Sequence, residues 1–118
     1  MDGFTDLKAW QKGVGLVKEI YALTKVFPGD ERYGLTSQLR RSSTSILANL
    51  AEGFGRYTFP DKASRYTIAR GESSETKALL FIAIELGFVG KVQAQKAIDG
   101  TDEMLRILSG LITSCKRR

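Results

Sequence analysis

The chain has 118 residues, of which 42% are hydrophobic. This is the size of a single domain, residues 1–118, and it supplies enough apolar material to bury a core without disulfides or metals. The composition therefore excludes wholesale disorder. The net charge is +5, and three of the 18 basic residues are the last three, Lys116, Arg117 and Arg118. Without them the chain is close to neutral, so the excess positive charge lies mainly in a C-terminal tail.

The first predicted helix covers residues 6–26. Thr5 or Asp6 is placed to cap its start, and Pro28 with Gly29 ends it. Its apolar face repeats at steps of three and four residues, through Leu7, Trp10, Val14, Val17, Tyr21 and Thr24.

The second predicted helix covers residues 35–52. Thr36 caps it, or the helix begins earlier, near Glu31. Gly53 is predicted to end it in a left-handed conformation. Its buried stripe is formed by Leu35, Leu39, Ser42 or Ser43, Ile46 and Leu50.

The third predicted helix is the longest and covers residues 59–86. Thr58 and Asp61 have the spacing of a capping box at its start, and Gly87 ends it. Gly71 lies inside this helix and costs about 1 kcal/mol relative to alanine. A close contact with another helix would offset that cost.

The fourth predicted helix covers residues 91–114. Gly100 is a weak point in it, but the apolar register continues on both sides, which favours one continuous helix. The apolar positions are Ile98, Met104, Leu105, Leu108, Leu111 and Ile112.

Four amphipathic helices joined by short links predict an all-α, up-and-down four-helix bundle. The N-terminus is acidic and has no apolar signal core, and there is one cysteine. No apolar run approaches the roughly 20 residues that span a bilayer. We therefore expect a cytoplasmic protein that is not inserted in a membrane.

Seven successive apolar residues, 78–84, cover every side of the third helix. A helix in an isolated bundle keeps one face in water, so this segment indicates a second covering surface. The predicted covering is another copy of the chain, contacted through Leu79, Phe81 and Ile82. The alternative is a loop or the N-terminal segment of the same chain.

The residues needed for common catalytic chemistry are missing. There is no histidine, which removes the commonest general base and metal ligand. Cys115 has no base beside it, and Gly53 and Gly55 begin a dinucleotide fingerprint whose third glycine is absent. We expect no enzymatic activity, no cofactor and no metal. The carboxylates that a metal would need are better explained as partners of arginines, chiefly Glu52 and Glu75.

The segment 33–56, with sequence YGLTSQLRRSSTSILANLAEGFGR, is rich in small and polar residues for a helix that must pack. It resembles the signature of the 23S rRNA intervening-sequence proteins. Further similarity lies in FTDL at residues 4–7, WQK at 10–12, Tyr21, FP at 27–28, IARGESSE at 68–75, LGF at 86–88, and residues 105–112. The resemblance covers nearly the whole chain, and Gly100 departs from it.

The resemblance implies a left-handed four-helix bundle whose relatives form homopentamers. Some relatives are encoded within insertions in large-subunit rRNA genes. The accessory proteins of diversity-generating retroelements, which are related, bind nucleic acid through basic surfaces. The resemblance implies no enzymatic activity.

Our first functional hypothesis is a homo-oligomer that binds nucleic acid, most plausibly RNA. Tyr57 and Tyr66 each follow an arginine, an arrangement suited to unpaired bases. We assign Tyr66 to the core, and Tyr57 either contacts bases or fills a helix junction. The candidate binding residues are Arg40, Arg41, Arg56, Arg65, Arg70, Lys116, Arg117 and Arg118.

Two alternatives remain. Arg40, Arg41 and Arg70 are also placed to pair with Glu52 or Glu75, inside the bundle or across an interface. The second functional hypothesis is a protein-binding scaffold, such as an accessory subunit of a reverse transcriptase, which suits the near-neutral body of the chain.

Overall fold

The computed structural model describes residues 3–118 and contains four α-helices, which confirms the predicted all-α four-helix bundle. They are α1 (Lys8–Thr24), α2 (Leu35–Gly55), α3 (Phe59–Glu85) and α4 (Lys91–Lys116). Short 3₁₀ helices at Gly3–Asp6 and Gly29–Glu31 precede α1 and α2. Helices that follow one another in the chain pack together, and α1 also packs against α4, so the four helices close into a ring. The bundle measures 46 × 21 × 21 Å.

Both ends of α3 form as predicted. The Thr58 hydroxyl accepts a hydrogen bond from the Asp61 amide at 3.2 Å and caps the first turn. Gly87 follows the helix with φ +77°, a left-handed conformation that glycine adopts without strain. The boundaries of the longest helix were therefore encoded locally.

The starts of α1 and α2 differ from the prediction. Leu7 precedes α1, and no side chain within residues 3–118 caps its first turn, so Thr5 and Asp6 are not caps. They belong instead to the preceding 3₁₀ helix. At α2 the Glu31 carboxylate, not Thr36, accepts a hydrogen bond from the Leu35 amide at 2.9 Å. A side chain four residues upstream performs this role because the intervening turn folds back.

Two glycines besides Gly13 allow helices to approach each other closely; a Cβ on Gly13 of α1 would lie 2.5 Å from Cδ2 of Leu47 on α2. The prediction that Gly53 ends α2 is wrong, because the helix continues to Gly55. A Cβ on Gly53 would lie 2.6 Å from Cε1 of Tyr66 on α3. The prediction that α4 is continuous through Gly100 is confirmed, and a Cβ there would lie 3.1 Å from Cδ1 of Leu16 on α1. Both glycines serve as spacers between helices.

The buried face of α1 is rotated by about one residue from the predicted stripe. Tyr21 is exposed, whereas Trp10, Val14 and Val17 are only partly buried. The fully buried positions are Ala9, Gly13, Leu16, Ile20 and Thr24. The small residues Ala9 and Gly13 face the core because α1 lies close to its neighbours. The predicted stripe of α2 is confirmed, since all its members are buried.

Small polar side chains occupy the contact between α2 and α3. The buried hydroxyls of Ser42 and Thr76 are 2.8 Å apart and hydrogen-bonded. The Ser45 hydroxyl donates to Glu72 at 2.9 Å, and Asn49 donates to the Ser45 carbonyl at 2.9 Å. These bonds satisfy polar groups that would otherwise be costly to bury. Within residues 3–118, no helix is long and apolar enough to cross a membrane.

Candidate nucleic-acid interface

Arg41 is engaged by carboxylates of α3. It forms ion pairs with Glu75 and, at 3.4 Å, with Glu72. The hydrogen bond to Glu75 raises the pKa of Arg41 above its usual value, although burial opposes this. The predicted pairing of Arg41 with Glu75 is confirmed. Two carboxylates around one guanidinium leave a negative balance that does not favour a phosphate.

Arg65 and Arg56 share one carboxylate near the end of α2. Glu52 lies 2.8 Å from Arg65 and 3.5 Å from Arg56. Arg70 takes another partner, donating from Nε to the Ser109 hydroxyl of α4 at 2.8 Å. The predicted arginines are thus distributed along the bundle.

Arg40 lies towards the opposite end of the bundle from the tail. Its Nε donates to the Thr24 hydroxyl at 2.9 Å, and its guanidinium carbon lies 4.4 Å from the centre of the Tyr21 ring. The sequence placed Arg40 and Arg41 in one candidate set. The structure directs them to different neighbours because adjacent residues on a helix differ by about 100° in direction.

The α2–α3 loop and the C-terminus of α4 meet at one end of the bundle and bring aromatic and basic side chains together. Tyr57 is 98% exposed, and Phe59 is 42% exposed. The guanidinium carbon of Arg118 lies 5.3 Å from the centre of the Phe59 ring. We call this surface the basic end; it comprises Arg56, Tyr57, Phe59, Lys62, Lys116, Arg117 and Arg118.

A cleft opens in the basic end between the start of α3 and the end of α4. It has a volume of about 440 Å³ and is lined by Phe59, Pro60, Ala63, Cys115, Lys116 and Arg118. Its lining therefore combines apolar side chains with two cations, Lys116 and Arg118. Such a cleft can receive a flat, partly apolar group that carries negative charge.

Two residues of the basic end were not among the sequence candidates. Phe59 and Lys62 lie in the first turn of α3, and the Lys62 ammonium donates to the Phe54 carbonyl at 2.6 Å. Their i, i+3 spacing is the sequence signal that they share a face. By contrast, Tyr66 is buried as predicted, and burial, with a smaller effect of Cys115, raises the pKa of its phenol.

The outer side of α3 carries exposed apolar side chains. Phe81 and Ile82 are 45% and 46% exposed, but Leu79 is only 7% exposed and packs in the core of its own chain. Leu79 is therefore not available for self-association as predicted. A Cβ on Gly71 would meet no atom of residues 3–118 within 4 Å, so the predicted close helix contact is absent from the described part of the chain. We call this surface the outer face of α3; it comprises Ile68, Gly71, Ser74, Ala78, Phe81 and Ile82.

The acidic residues do not form a cation site. Across residues 3–118, no three histidine, cysteine, aspartate or glutamate side chains lie close enough together to hold a metal ion. The predicted arginine partners Glu52 and Glu75 do contact arginines, as does Glu72.

Comparison with known proteins gives a family and a fold. The family model of the 23S rRNA-intervening sequence protein matches residues 5–110. A crystal structure from Bacteroides thetaiotaomicron, of a protein with unknown function from the S23 ribosomal protein family, is 24% identical and superposes with a TM-score of 0.81. The match covers 88% of this chain and 97% of that chain. No curated protein matches the chain.

Proposed function

The chain belongs to the 23S rRNA-intervening sequence protein family, and on that premise we propose that it is a non-enzymatic homo-oligomer that binds RNA through the basic end. The name of the family links it to insertions in ribosomal RNA. The chemistry of the basic end supports RNA as the ligand for this chain, with unpaired nucleotides as the part contacted.

The observation that carries the proposal is the exposure of Tyr57. A tyrosine that is 98% exposed makes almost no contribution to the core. Tyr57 lies between Arg56 and Phe59 in the sequence, and Phe59 lines the cleft of the basic end. Aromatic side chains next to cations are the usual platform for single-stranded nucleic acid, because each base can stack and each phosphate can be neutralised.

The charges of the basic end support the same ligand. Lys62, Lys116, Arg117 and Arg118 form no ion pair with any carboxylate of residues 3–118. Arg56 shares Glu52 with Arg65, so this cluster keeps a net positive charge. An unneutralised cluster is what the phosphate backbone attracts.

Self-association would place several copies of the basic end on one particle. On the outer face of α3 the small residues precede Phe81 and Ile82, and small residues let a second helix approach closely. A second copy of the chain is the occupant we propose. The small residues Gly71, Ser74 and Ala78 lie between Ile68 and Ile82, which are about 21 Å apart along the helix axis. Repeated weak sites on one particle bind one RNA more tightly by avidity.

The test is an RNA titration of nuclease-treated protein at low and near-physiological salt, with a structured rRNA fragment and an unrelated RNA. We expect Tyr57→Ala to weaken binding by about 1–3 kcal/mol, as loss of one base stack does. Its matched control is Val92→Ala, because Val92 is also an exposed apolar side chain, at 88%, but lies in the first turn of α4 and lines neither end cleft.

The tail is tested by the slope of affinity against salt. Replacing Lys116, Arg117 and Arg118 with alanine should make the slope of log affinity against log salt concentration shallower. The expected change corresponds to the loss of up to about three phosphate contacts. The control replaces Lys18, Lys91 and Lys96, which are exposed and carry the same charge. An unchanged slope in the tail variant, or an equal change in the control, would show that the basic end is not the RNA site.

A second candidate function is a protein-binding scaffold. It is favoured by the ion pairs of Arg41, Arg56 and Arg65, which leave most of the bundle surface near neutral. Absence of RNA binding at both salt concentrations, with a protein recovered in stoichiometric amount after nuclease treatment, would favour this function.

A further inference from the structure

A second cationic cleft lies at the end of the bundle opposite the basic end. It is formed where α1 ends, the 3₁₀ helix Gly29–Glu31 turns, and α2 begins. Its volume is about 340 Å³. Three cations line it, together with two threonine hydroxyls: Lys25, Arg32, Arg40, Thr24 and Thr36.

Arg40 is held in place by its neighbours. Thr24 is buried, donates its hydroxyl proton to the Ile20 carbonyl at 2.8 Å, and accepts from Arg40 Nε at 2.9 Å. The Tyr21 ring covers one face of the guanidinium at 4.4 Å. The two terminal nitrogens of Arg40 have no hydrogen-bond partner within residues 3–118. A guanidinium fixed by stacking and by one hydrogen bond presents its remaining donors in a fixed geometry.

The surroundings leave the cleft positively charged. Lys25, Arg32 and Arg40 form no ion pair with carboxylates of the described chain. The nearest acidic residues in sequence, Asp30 and Glu31, keep their negative charge, but neither lines the cleft, and Glu31 is directed to the start of α2, where it accepts from the Leu35 amide. The carbonyls at the end of α1 also have partners, since Tyr21 O accepts from the Lys25 amide and Thr24 O from the Phe27 amide. They therefore do not compete for the cations.

We propose that this cleft binds a phosphoryl group, either inorganic phosphate or the phosphate of a small ester or of an RNA end. Three cations match a dianion, and a guanidinium that offers two terminal nitrogens pairs with two phosphate oxygens. The volume exceeds that of phosphate alone, which leaves space for an attached group. The site goes beyond the proposed RNA surface, because it lies at the other end of the bundle and uses none of its residues.

The experiment titrates the full chain with inorganic phosphate and follows backbone and arginine side-chain NMR signals, with chloride at the same ionic strength as the reference. We expect saturable shifts at Thr24, Thr36 and Arg40 with phosphate alone. Arg40→Gln should weaken binding about tenfold or more, the effect of losing a charged hydrogen-bond pair. Arg40→Lys keeps the charge but loses the planar fork, and should also weaken it.

Lys96→Gln is the matched control, since it removes one exposed cation outside this cleft. The alanine variant of residues 116–118 should bind phosphate normally, which separates this site from the basic end. Thermal unfolding of every variant shows that the fold is kept. Shifts that are equal in chloride, or an equal loss of affinity in Arg40→Gln and Lys96→Gln, would overturn the proposal.

The source of the phosphate is identified by competition. A short RNA with a 5′-phosphate and the same RNA with a 5′-hydroxyl are added to the phosphate complex, as is adenosine 5′-monophosphate. Displacement only by the phosphorylated RNA assigns an RNA end, and displacement by the mononucleotide assigns a small ester. If none of the phosphorylated competitors displaces phosphate, the site is restricted to the free ion; each pattern supports the site.

Discussion

At the residue scale, Gly53 and Gly87 show that a glycine can lie inside a helix or end it. Gly87 ends α3 with a positive φ, whereas Gly53 lies inside α2 against the Tyr66 ring. The two look alike in the sequence, since each comes where a predicted helix ends. The difference arises from what stands opposite, because the steric need for a missing Cβ is imposed by a neighbouring helix.

Gly53→Ala should destabilise the protein. The added Cβ would lie 2.6 Å from Tyr66 Cε1 and 3.1 Å from Arg65 Cβ, and the buried ring has little room to move. Overpacking costs about 1–3 kcal/mol, and the better helix propensity of alanine returns about 1 kcal/mol. We expect a net loss of about 1 kcal/mol in the free energy of unfolding, measured by urea denaturation at fixed protein concentration.

The control for this variant is Gly110→Ala in α4. Gly110 is exposed, and a Cβ there would meet no atom within 4 Å. It should therefore stabilise the helix by up to about 1 kcal/mol. If both alanines stabilise the protein, the α2–α3 spacing is not set by Gly53.

The role of each arginine, like that of each glycine, depends on what another helix places opposite it. From the sequence, Arg40, Arg41, Arg56, Arg65 and Arg70 were predicted to belong to one binding set. In the structure Arg41 and Arg65 contact carboxylates that are 31 and 13 residues away along the chain, whereas the terminal nitrogens of Arg40 have no hydrogen-bond partner among residues 3–118. Residue type gives the charge, and the fold gives its partner.

At the element scale, helix boundaries were predicted best where the cap is local. Thr58 and Asp61 are three residues apart, and their hydrogen bond needs no other part of the molecule. The cap of α2 depends on the turn at residues 29–34, which returns Glu31 to the helix start. A sequence pattern that considers only the first turn does not detect it.

Thr58→Ala should destabilise the protein by about 1 kcal/mol, because the Asp61 amide loses its acceptor at the start of α3. Thr5→Ala is the comparison, since Thr5 was predicted as a cap and makes no capping hydrogen bond to α1. We expect it to change the free energy of unfolding by less than about 0.5 kcal/mol. Equal effects of the two substitutions in urea denaturation would contradict this assignment of the caps.

At the scale of the whole molecule, α3 is apolar on two sides. One side packs in the core through Leu79, Leu80 and Ala83, and the other exposes Phe81 and Ile82. The ring of four helices provides no further element to cover that second side. A second copy is the covering that we propose.

The double variant Phe81→Ser, Ile82→Asn should therefore reduce the mass of the particle. We expect light scattering to give the wild-type protein a multiple of the 13.0 kDa chain mass and the variant a smaller multiple. The matched control is Val92→Asn on α4, because Val92 is 88% exposed but lies outside the outer face of α3. A wild-type mass of one chain would remove the oligomer from the proposed function.

The sequence by itself determined the number of helices, their approximate limits and the fold class. The reason is that the spacing of apolar residues and the residues that begin or end a helix both act over a few neighbouring residues. It also placed the buried stripe of α2 and the continuity of α4. Only the tertiary structure decided the rotation of α1, the role of Gly53, the burial of Leu79 and the partners of the arginines. It alone brought Tyr57 and Phe59 to the C-terminal tail and Lys25 and Arg32 to Arg40. These features depend on contacts between segments far apart in the chain, which the spacing within any one segment does not encode.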